Sequence, residues 1–253
     1  MLLAIDIGNT DIVFGLHDGQ RWLTPFRIPT HYSPRPADYE ARLRLLFLEQ
    51  GLAIDAVRRV ILSSVVPGET ALIRTMATDL FGQPPLLLGP DVYPHLGLEM
   101  ASPREIGTDL VANAFYAWTT YQRPCIVVDF GTALTFTVVT EARILGVSIA
   151  PGLKTAVRSL FTNTAQLPEV PLELPQSAIG RNTTHAIQAG ILWGYVGLVR
   201  EMLTQMQAEV GPCRVLATGG LSSILPPLHE LFDEVDVNLT LNGLRLISER
   251  VPA

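Results

Sequence analysis

The chain has 253 residues, 48% of them hydrophobic and 17% charged, which excludes a disordered or fibrous protein and suffices for one large or two small domains. Its 24 acidic residues outnumber the 18 basic ones, which stand singly or as the pair Arg58–Arg59, so no nucleic-acid surface is expected. The only lysine, Lys154, follows Pro151-Gly152-Leu153, which is not a P-loop setting.

Short Val- and Ile-rich runs alternate with longer amphipathic stretches, the pattern of an α/β protein. In chain order, strands are expected at 2–7, 12–16, 60–64, 125–129, 134–139, 144–149 and 214–217. Pro36 opens a segment in which Leu43, Leu46 and Phe47 fall at helical spacing before Gly51, and 67–81 reads likewise before Gly82. Thr108 is placed to cap a helix from Asp109 to Tyr121, and Thr183 or Thr184 to cap a long one reaching about Glu209. That last helix is apolar over a wide face, with Gly190, Gly194 and Gly197 for close approach, which suits a deep core or a subunit interface.

No segment approaches the roughly 18 apolar residues of a membrane span, and the N-terminus lacks the features of a signal peptide. A cytoplasmic protein with no membrane partner is expected. Cys125 and Cys213 each adjoin an apolar run and read as buried, reduced strand cysteines. No two histidines stand at metal-ligand spacing, and no Ser-His-Asp arrangement is evident, so zinc and hydrolase readings have no support.

The most informative feature is an internal echo. Leu2-Leu3-Ala4-Ile5-Asp6-Ile7-Gly8-Asn9-Thr10 resembles Cys125-Ile126-Val127-Val128-Asp129-Phe130-Gly131-Thr132-Ala133, about half a chain later. Each copy places Asp-x-Gly after four apolar residues and is followed by a second β-rich run. Two similar halves, each opening with a β-hairpin, are expected. Gly8 and Gly131 let the backbone turn tightly, and Asn9, Thr10 and Thr132 put short polar side chains at the tips. Such a pair of hairpins suits a phosphate chain gripped from both sides. Asp6 and Asp129 end apolar strands, where an ionised acid requires a cation or hydrogen-bond donors, so they point to metal-bound phosphate. Ala217-Thr218-Gly219-Gly220-Leu221 reads as a strand entering a helix through two glycines, a place for adenosine or phosphate to lie against backbone.

Together these motifs resemble the superfamily of actin, heat-shock ATPases and sugar kinases, and within it the type III pantothenate kinases. The resemblance runs through Asp6 to Thr10, Ile61 to Pro67, Gly107-Thr108-Asp109, Asp129 to Thr132, Ile149 to Gly152, Ile179 to Thr183, Ala217 to Leu221, and Leu239 to Ile247. It implies two actin-like, ribonuclease H-like halves, each a mixed β-sheet flanked by helices, at 1–118 and 119–253, the second carrying a dimerisation helix. It implies ATP-dependent phosphorylation of the primary hydroxyl of pantothenate, the first step of coenzyme A biosynthesis, by a homodimer using Mg²⁺ and K⁺ or NH₄⁺. Carried over by motif, Asp6 holds Mg²⁺ through water, while Gly8, Asn9, Thr10, Gly131, Thr132, Gly219 and Gly220 bind nucleotide. Asp129 holds the monovalent cation, Asp109 is the catalytic base, and Gly107, Thr108, Asp109 and Thr183 meet the acceptor.

Several positions depart from the family pattern. Leu110 stands where an arginine binds the pantothenate carboxylate, Met100 replaces a tyrosine near Ser102-Pro103, and Leu134 replaces the middle threonine of Gly-Thr-Ala-Thr-Thr. Asp11 replaces Asn, and Val147 one glycine of a pair. Loss of the arginine weakens carboxylate binding by about ten- to a hundredfold unless Arg104 or Arg181 replaces it. Two other readings follow: a kinase for another small hydroxylated acceptor, or a nucleotide-binding regulatory protein with little catalysis.

Overall fold

A computed structural model describes residues 1–252. Contacts divide the chain into two compact units, Met1–Tyr116 with Thr240–Ala253, and Ala117–Leu239. The final helix, which a division at 118/119 assigns to the second half, therefore belongs to the first unit.

The first unit contains β1 (Leu2–Ile7), β2 (Asp11–His17), β3 (Phe26–Pro29), α1 (Pro36–Glu49), β4 (Arg59–Ser64), α2 (Pro67–Phe81), β5 (Leu86–Leu87) and the two-residue β6 (Glu99–Met100). Helix α3 (Thr108–Tyr121) begins in this unit and runs into the second. Its sheet has the order β3-β2-β1-β4-β5, with β2 antiparallel and β4 parallel to β1.

Alternation sorts the two faces of β1. Leu3, Ile5 and Ile7 join the core with Phe14, Leu62, and Tyr39, Leu43 and Phe47 of α1 and Ile73 of α2. Ala4 and Asp6 face the other way. Small residues on that second face make room for a helix, because a Cβ on Gly15, the partner of Ala4, would lie 2.8 Å from Leu241. Helix α2 stops where Gly82 turns left-handed (φ +71°) and its amide donates to the Thr78 carbonyl at 2.9 Å.

The second unit contains β7 (Cys125–Phe130), β8 (Ala133–Thr140), β9 (Arg143–Pro151), α4 (Leu153–Asn163), α5 (Thr183–Gln188), α6 (Gly194–Val210), β10 (Arg214–Thr218) and β11 (Glu234–Val235). Here β11-β10-β7-β8-β9 repeats the order of the first unit. Strand β7 takes the place of β1, β8 of β2, β9 of β3 and β10 of β4, so the echo in sequence is an echo in topology. Ile126, Val128 and Phe130 enter the core with Phe136, Leu192, Val199 and Val215. Helix α7 (Leu239–Arg250) closes the chain; Gly243 lies so close to α3 that a Cβ there would come 2.1 Å from the Ala112 carbonyl oxygen.

Several expectations change. The long helix after Thr183 runs on to Val210 as expected but contains a π-helical turn over Ala189–Trp193, and its N-cap is Asn182, whose Oδ1 accepts the His185 amide at 2.8 Å. Gly219-Gly220 leads into a turn, not a helix: the Ser222 amide and hydroxyl both donate to the Gly219 carbonyl, at 3.2 and 2.9 Å. The helix-terminus argument for those glycines therefore falls. Cys125 is buried, which pushes its thiol up to about 11, whereas Cys213 precedes β10 and is half-buried. Strand β3 and helices α4 and α7 are not among the elements expected from the sequence.

Candidate active site

In the first unit the β1–β2 hairpin presents Gly8, Asn9 and Thr10 as a three-residue tip, with Asn9 and Thr10 exposed. The tip is closed by the Gly8 amide, which donates to the Asp11 carbonyl at 3.0 Å. It is fastened from β3, where Thr30 donates its amide to the Thr10 carbonyl (2.9 Å) and its hydroxyl to the Gly8 carbonyl (2.7 Å).

Asp6, one residue from the end of β1, lies opposite Ser63 of β4. The fully buried Ser63 donates its hydroxyl to Asp6 Oδ1 at 2.9 Å. With that proton committed, Thr108 donates to Ser63 Oγ at 2.9 Å or to the Ser64 carbonyl at 3.2 Å, and accepts the Ser64 amide at 2.9 Å. When Thr108 donates to Ser63, the two bonds run as a directed chain from Thr108 through Ser63 to the Asp6 carboxylate, each polarising the next. Thr108 is therefore not the helix cap expected from sequence. Its hydroxyl serves the sheet, and the Val111 amide bonds instead to the Gly107 carbonyl at 3.2 Å.

Asp109 follows directly on the first turn of α3. Its Oδ1 accepts the Leu110 amide at 2.9 Å. The carboxylate folds back over Gly107, where a Cβ would come within 2.4 Å of that oxygen, so a side chain there would displace the carboxylate. Burial raises the Asp109 pKa above the usual carboxylate range, with the Leu110 and Asp109 amides opposing the shift. Buried Tyr93 is pushed up to about 12, first by burial and then by the charge on Asp109. The result is a carboxylate with enhanced basicity, tied through its chain neighbour Thr108 to Ser63 and Asp6.

In the second unit the β7–β8 hairpin has a tip one residue shorter, Gly131-Thr132, both exposed. The Gly131 amide donates to the Ala133 carbonyl at 3.1 Å. The Gly152 amide (3.0 Å) and the Thr155 hydroxyl (2.7 Å) both bond the Thr132 carbonyl. A Cβ on Gly152 would lie 2.2 Å from the Gly131 carbonyl oxygen, so the start of α4 packs directly on the tip.

Asp129 has Thr135 opposite it on β8 and Thr218 on β10, placing three oxygen-bearing side chains in one row on one face. Thr135 Oγ1 is buried without a hydrogen-bond partner. Gly219 turns left-handed (φ +90°) against this row, since a Cβ there would sit 2.6 Å from Asp129 Oδ1. Gly220 is exposed beside it. Leu134 points the other way, into the core with Phe130 and Phe136, so its replacement of a threonine does not touch the Asp129 row.

Thr183 opens α5 of the second unit. It lines an apolar pocket of about 270 Å³ with Leu160, Leu167, Ala186, Ile187 and Ile191. Leu110 is buried and Met100 half-buried; Arg104 and Arg181 are both exposed. Sequence reasoning assigned no role to Ser63, Gly152 or Thr135, although Ser63 and Gly152 lie inside quoted motifs. Thr30 carried no signal at all, because its function depends on which strand β3 pairs with.

Among the described residues no cluster of three or more His, Cys, Asp or Glu side chains forms a metal cage. A single carboxylate held by a hydroxyl, as at Asp6, suits Mg²⁺, which keeps most of its waters and takes other ligands from substrate phosphate.

Two sheets that share a five-strand order, each opening on an Asp-x-Gly hairpin, define a protein of the actin-like, sugar-kinase fold. Solved structures agree on that fold. A putative Baf family transcriptional activator from Campylobacter jejuni aligns with TM-score 0.60 and 19% identity over 98% of this chain and 97% of that one. A ROK family glucokinase from Streptomyces griseus aligns with TM-score 0.53 and 13% identity over 99% of both chains. The family model for type III pantothenate kinase matches residues 2–205. The type III pantothenate kinase of Geobacter sulfurreducens is 41% identical over 252 residues, 99% of each chain. The chain belongs to the type III pantothenate kinase family.

Proposed function

We propose that the chain transfers the γ-phosphoryl group of ATP to the primary hydroxyl of pantothenate, with Asp109 as the base. The observation that carries this reading is the desolvated Asp109 carboxylate, joined through Thr108 and Ser63 to Asp6. Asp109 accepts the hydroxyl proton as the oxygen forms its bond to the γ-phosphorus and the bond to the β–γ bridging oxygen breaks. ADP leaves, and the proton remains on Asp109. Gly8, Asn9, Thr10, Gly131 and Thr132 bind the phosphates, and Gly219 and Gly220 lie along the nucleotide. Phosphoryl transfer demands mainly positioning and charge balance, which such a set supplies.

Mg²⁺, held through water by Asp6, neutralises phosphate charge when bound. K⁺ or NH₄⁺ suits the Asp129 row, where Thr135 Oγ1 has no protein partner. Gly107 and Thr108 shape the acceptor side of Asp109. Thr183 reaches the acceptor from a second copy of the chain, in a homodimer built on the α5–α6 segment; exposed Ile179 and Phe161 in the same unit support such a partner. The protein acts in the cytoplasm, in keeping with the absence, among the described residues, of a helix long and apolar enough to cross a membrane.

Buried Leu110 offers nothing to a carboxylate, which favours a second reading in which the acceptor is another small alcohol. Phosphorus NMR of the product distinguishes them. Pantothenate phosphorylated at its primary hydroxyl supports the first reading, and recovery of unmodified pantothenate from a protein that binds ATP supports the second. Activity per protomer that stays constant on dilution through the dimer's dissociation range removes Thr183 from the acceptor site.

A further inference from the structure

The segment between β3 and α1, Thr30 to Arg35, is polar, mostly exposed and assigned no role by the kinase reading. It is nonetheless fastened at each step. Thr30 bonds two of the three residues of the first hairpin tip, Gly8 through its hydroxyl and Thr10 through its amide. His31 has a left-handed backbone (φ +63°), uncommon for a residue with a Cβ and maintained only where surrounding contacts enforce it. The enforcing contact is its Nδ1, 2.7 Å from Glu69 Oε1 on the first turn of α2.

Glu69 is a buried carboxylate, and such a group needs donors on both oxygens. The fully buried Tyr39 of α1 supplies the second, donating to Oε2 at 2.8 Å. Tyr32 packs edge-on against Tyr39 with ring centroids 5.7 Å apart, and Ser33 bonds Asp38. Two helices therefore hold the residue after Thr30 in an unusual conformation, and that conformation aims Thr30 at the tip.

The second unit supplies an independent reason to regard this as a working part. Strands β3 and β9 occupy the same place in the two sheets and both end in proline, Pro29 and Pro151, opposite the first residue of β2 and β8. In each case the next amide, of Thr30 or Gly152, donates to the carbonyl of the last tip residue. Each tip also receives a threonine hydroxyl, from Thr30 or Thr155. The second tip is held by a helix start; the first, longer tip has no helix there and relies on Thr30.

We propose that Thr30 is a positioning residue for the nucleotide, holding Gly8–Thr10 in the shape that receives phosphate, and that His31, Glu69 and Tyr39 form the latch that holds Thr30. The proposal rests on the reading that this tip binds ATP phosphates. Thr30→Val keeps the shape and the amide bond but leaves the Gly8 carbonyl without its donor. Thr30→Ser keeps the hydroxyl. His31→Asn tolerates the left-handed backbone and removes the ring that reaches Glu69.

The measurement is the dissociation constant of Mg-ATP by calorimetry, with thermal melting as a check of folding and with KM for ATP and for pantothenate determined separately. Loss of one hydrogen bond predicts a Kd and a KM for ATP raised about three- to tenfold in Thr30→Val, with KM for pantothenate unchanged. Thr30→Ser stays within about twofold of wild type, and His31→Asn weakens ATP by a smaller factor than Thr30→Val. Wild-type ATP affinity in folded Thr30→Val, or Thr30→Ser as weak as Thr30→Val, overturns the proposal. If Thr30→Val does not fold, His31→Asn decides, and unchanged ATP affinity there overturns the latch. Wild type that binds ATP without phosphorylating pantothenate, alongside a weakened Thr30→Val, removes the acceptor assignment and leaves the proposal standing; wild type that binds no ATP removes both.

Discussion

The two hairpin tips follow one plan with different hardware. Gly131-Thr132 is a two-residue tip pressed against the start of α4, where Gly152 leaves no space for a side chain. Gly8-Asn9-Thr10 is longer by one residue and is held by Thr30 at the end of a polar loop. Close packing against a helix leaves little freedom, whereas two hydrogen bonds from a latched loop allow adjustment. The same topology thus seats one tip on a helix start and the other on a loop.

The largest expected effect lies in the first unit, at Asp109. Asp109→Asn should lower turnover by about a hundred- to ten-thousandfold, the usual contribution of a positioned base, while calorimetry finds ATP binding close to wild type. Unchanged turnover would remove Asp109 as the base. The helix-seated tip is broken by Gly152→Ala, which should cost about 2–3 kcal/mol of stability in denaturant melts and weaken ATP binding, because backbone oxygens stand within contact distance of the added methyl. Gly68→Ala, on α2 with open space around it, is the control and should be neutral or slightly stabilising.

Leu110→Arg buries a guanidinium at a position only 8% exposed, so the free protein should lose about 1–3 kcal/mol. If the arginine then meets the pantothenate carboxylate, pantothenate should raise the melting temperature of the variant more than that of wild type. Equal shifts would mean that the carboxylate is held elsewhere.

The smallest effect is a pH dependence. Burial gives Asp109 a raised pKa, so the folded protein holds that proton more tightly than the unfolded chain does. Its ionised form costs stability at neutral pH, and that cost is relieved as pH falls through the raised folded value toward the ordinary one. Activity moves the opposite way, kcat/KM falling on acidification through the same raised value. Asp109→Asn should therefore be at least as stable as wild type at pH 7 and lose the corresponding pH dependence in melting experiments.

Much of this was legible in the sequence because it lies in periodic, buried elements. The repeated apolar-Asp-x-Gly runs gave both hairpins, and the proline starts and glycine stop of α1 and α2 marked those helices. Strand β3 was not legible: four residues, Phe26 to Pro29, with one buried side chain carry no period, and pairing with β2 alone makes them a strand. Thr108 misled because a threonine before a helix normally caps it, whereas here β4 claims its hydroxyl. The Gly219-Gly220 turn was misread because the glycine is demanded by the Asp129 carboxylate beside it, a contact distant in sequence. Leu134 seemed to damage the site until the alternation of β8 placed it in the core and Thr135 beside Asp129.

The most direct test is ADP release by the purified protein with ATP, Mg²⁺ and K⁺ or NH₄⁺, with and without pantothenate, in wild type and in Asp109→Asn. The account predicts release that pantothenate stimulates in wild type and that nearly vanishes in Asp109→Asn. Release indifferent to pantothenate, or equal in the two proteins, would contradict it.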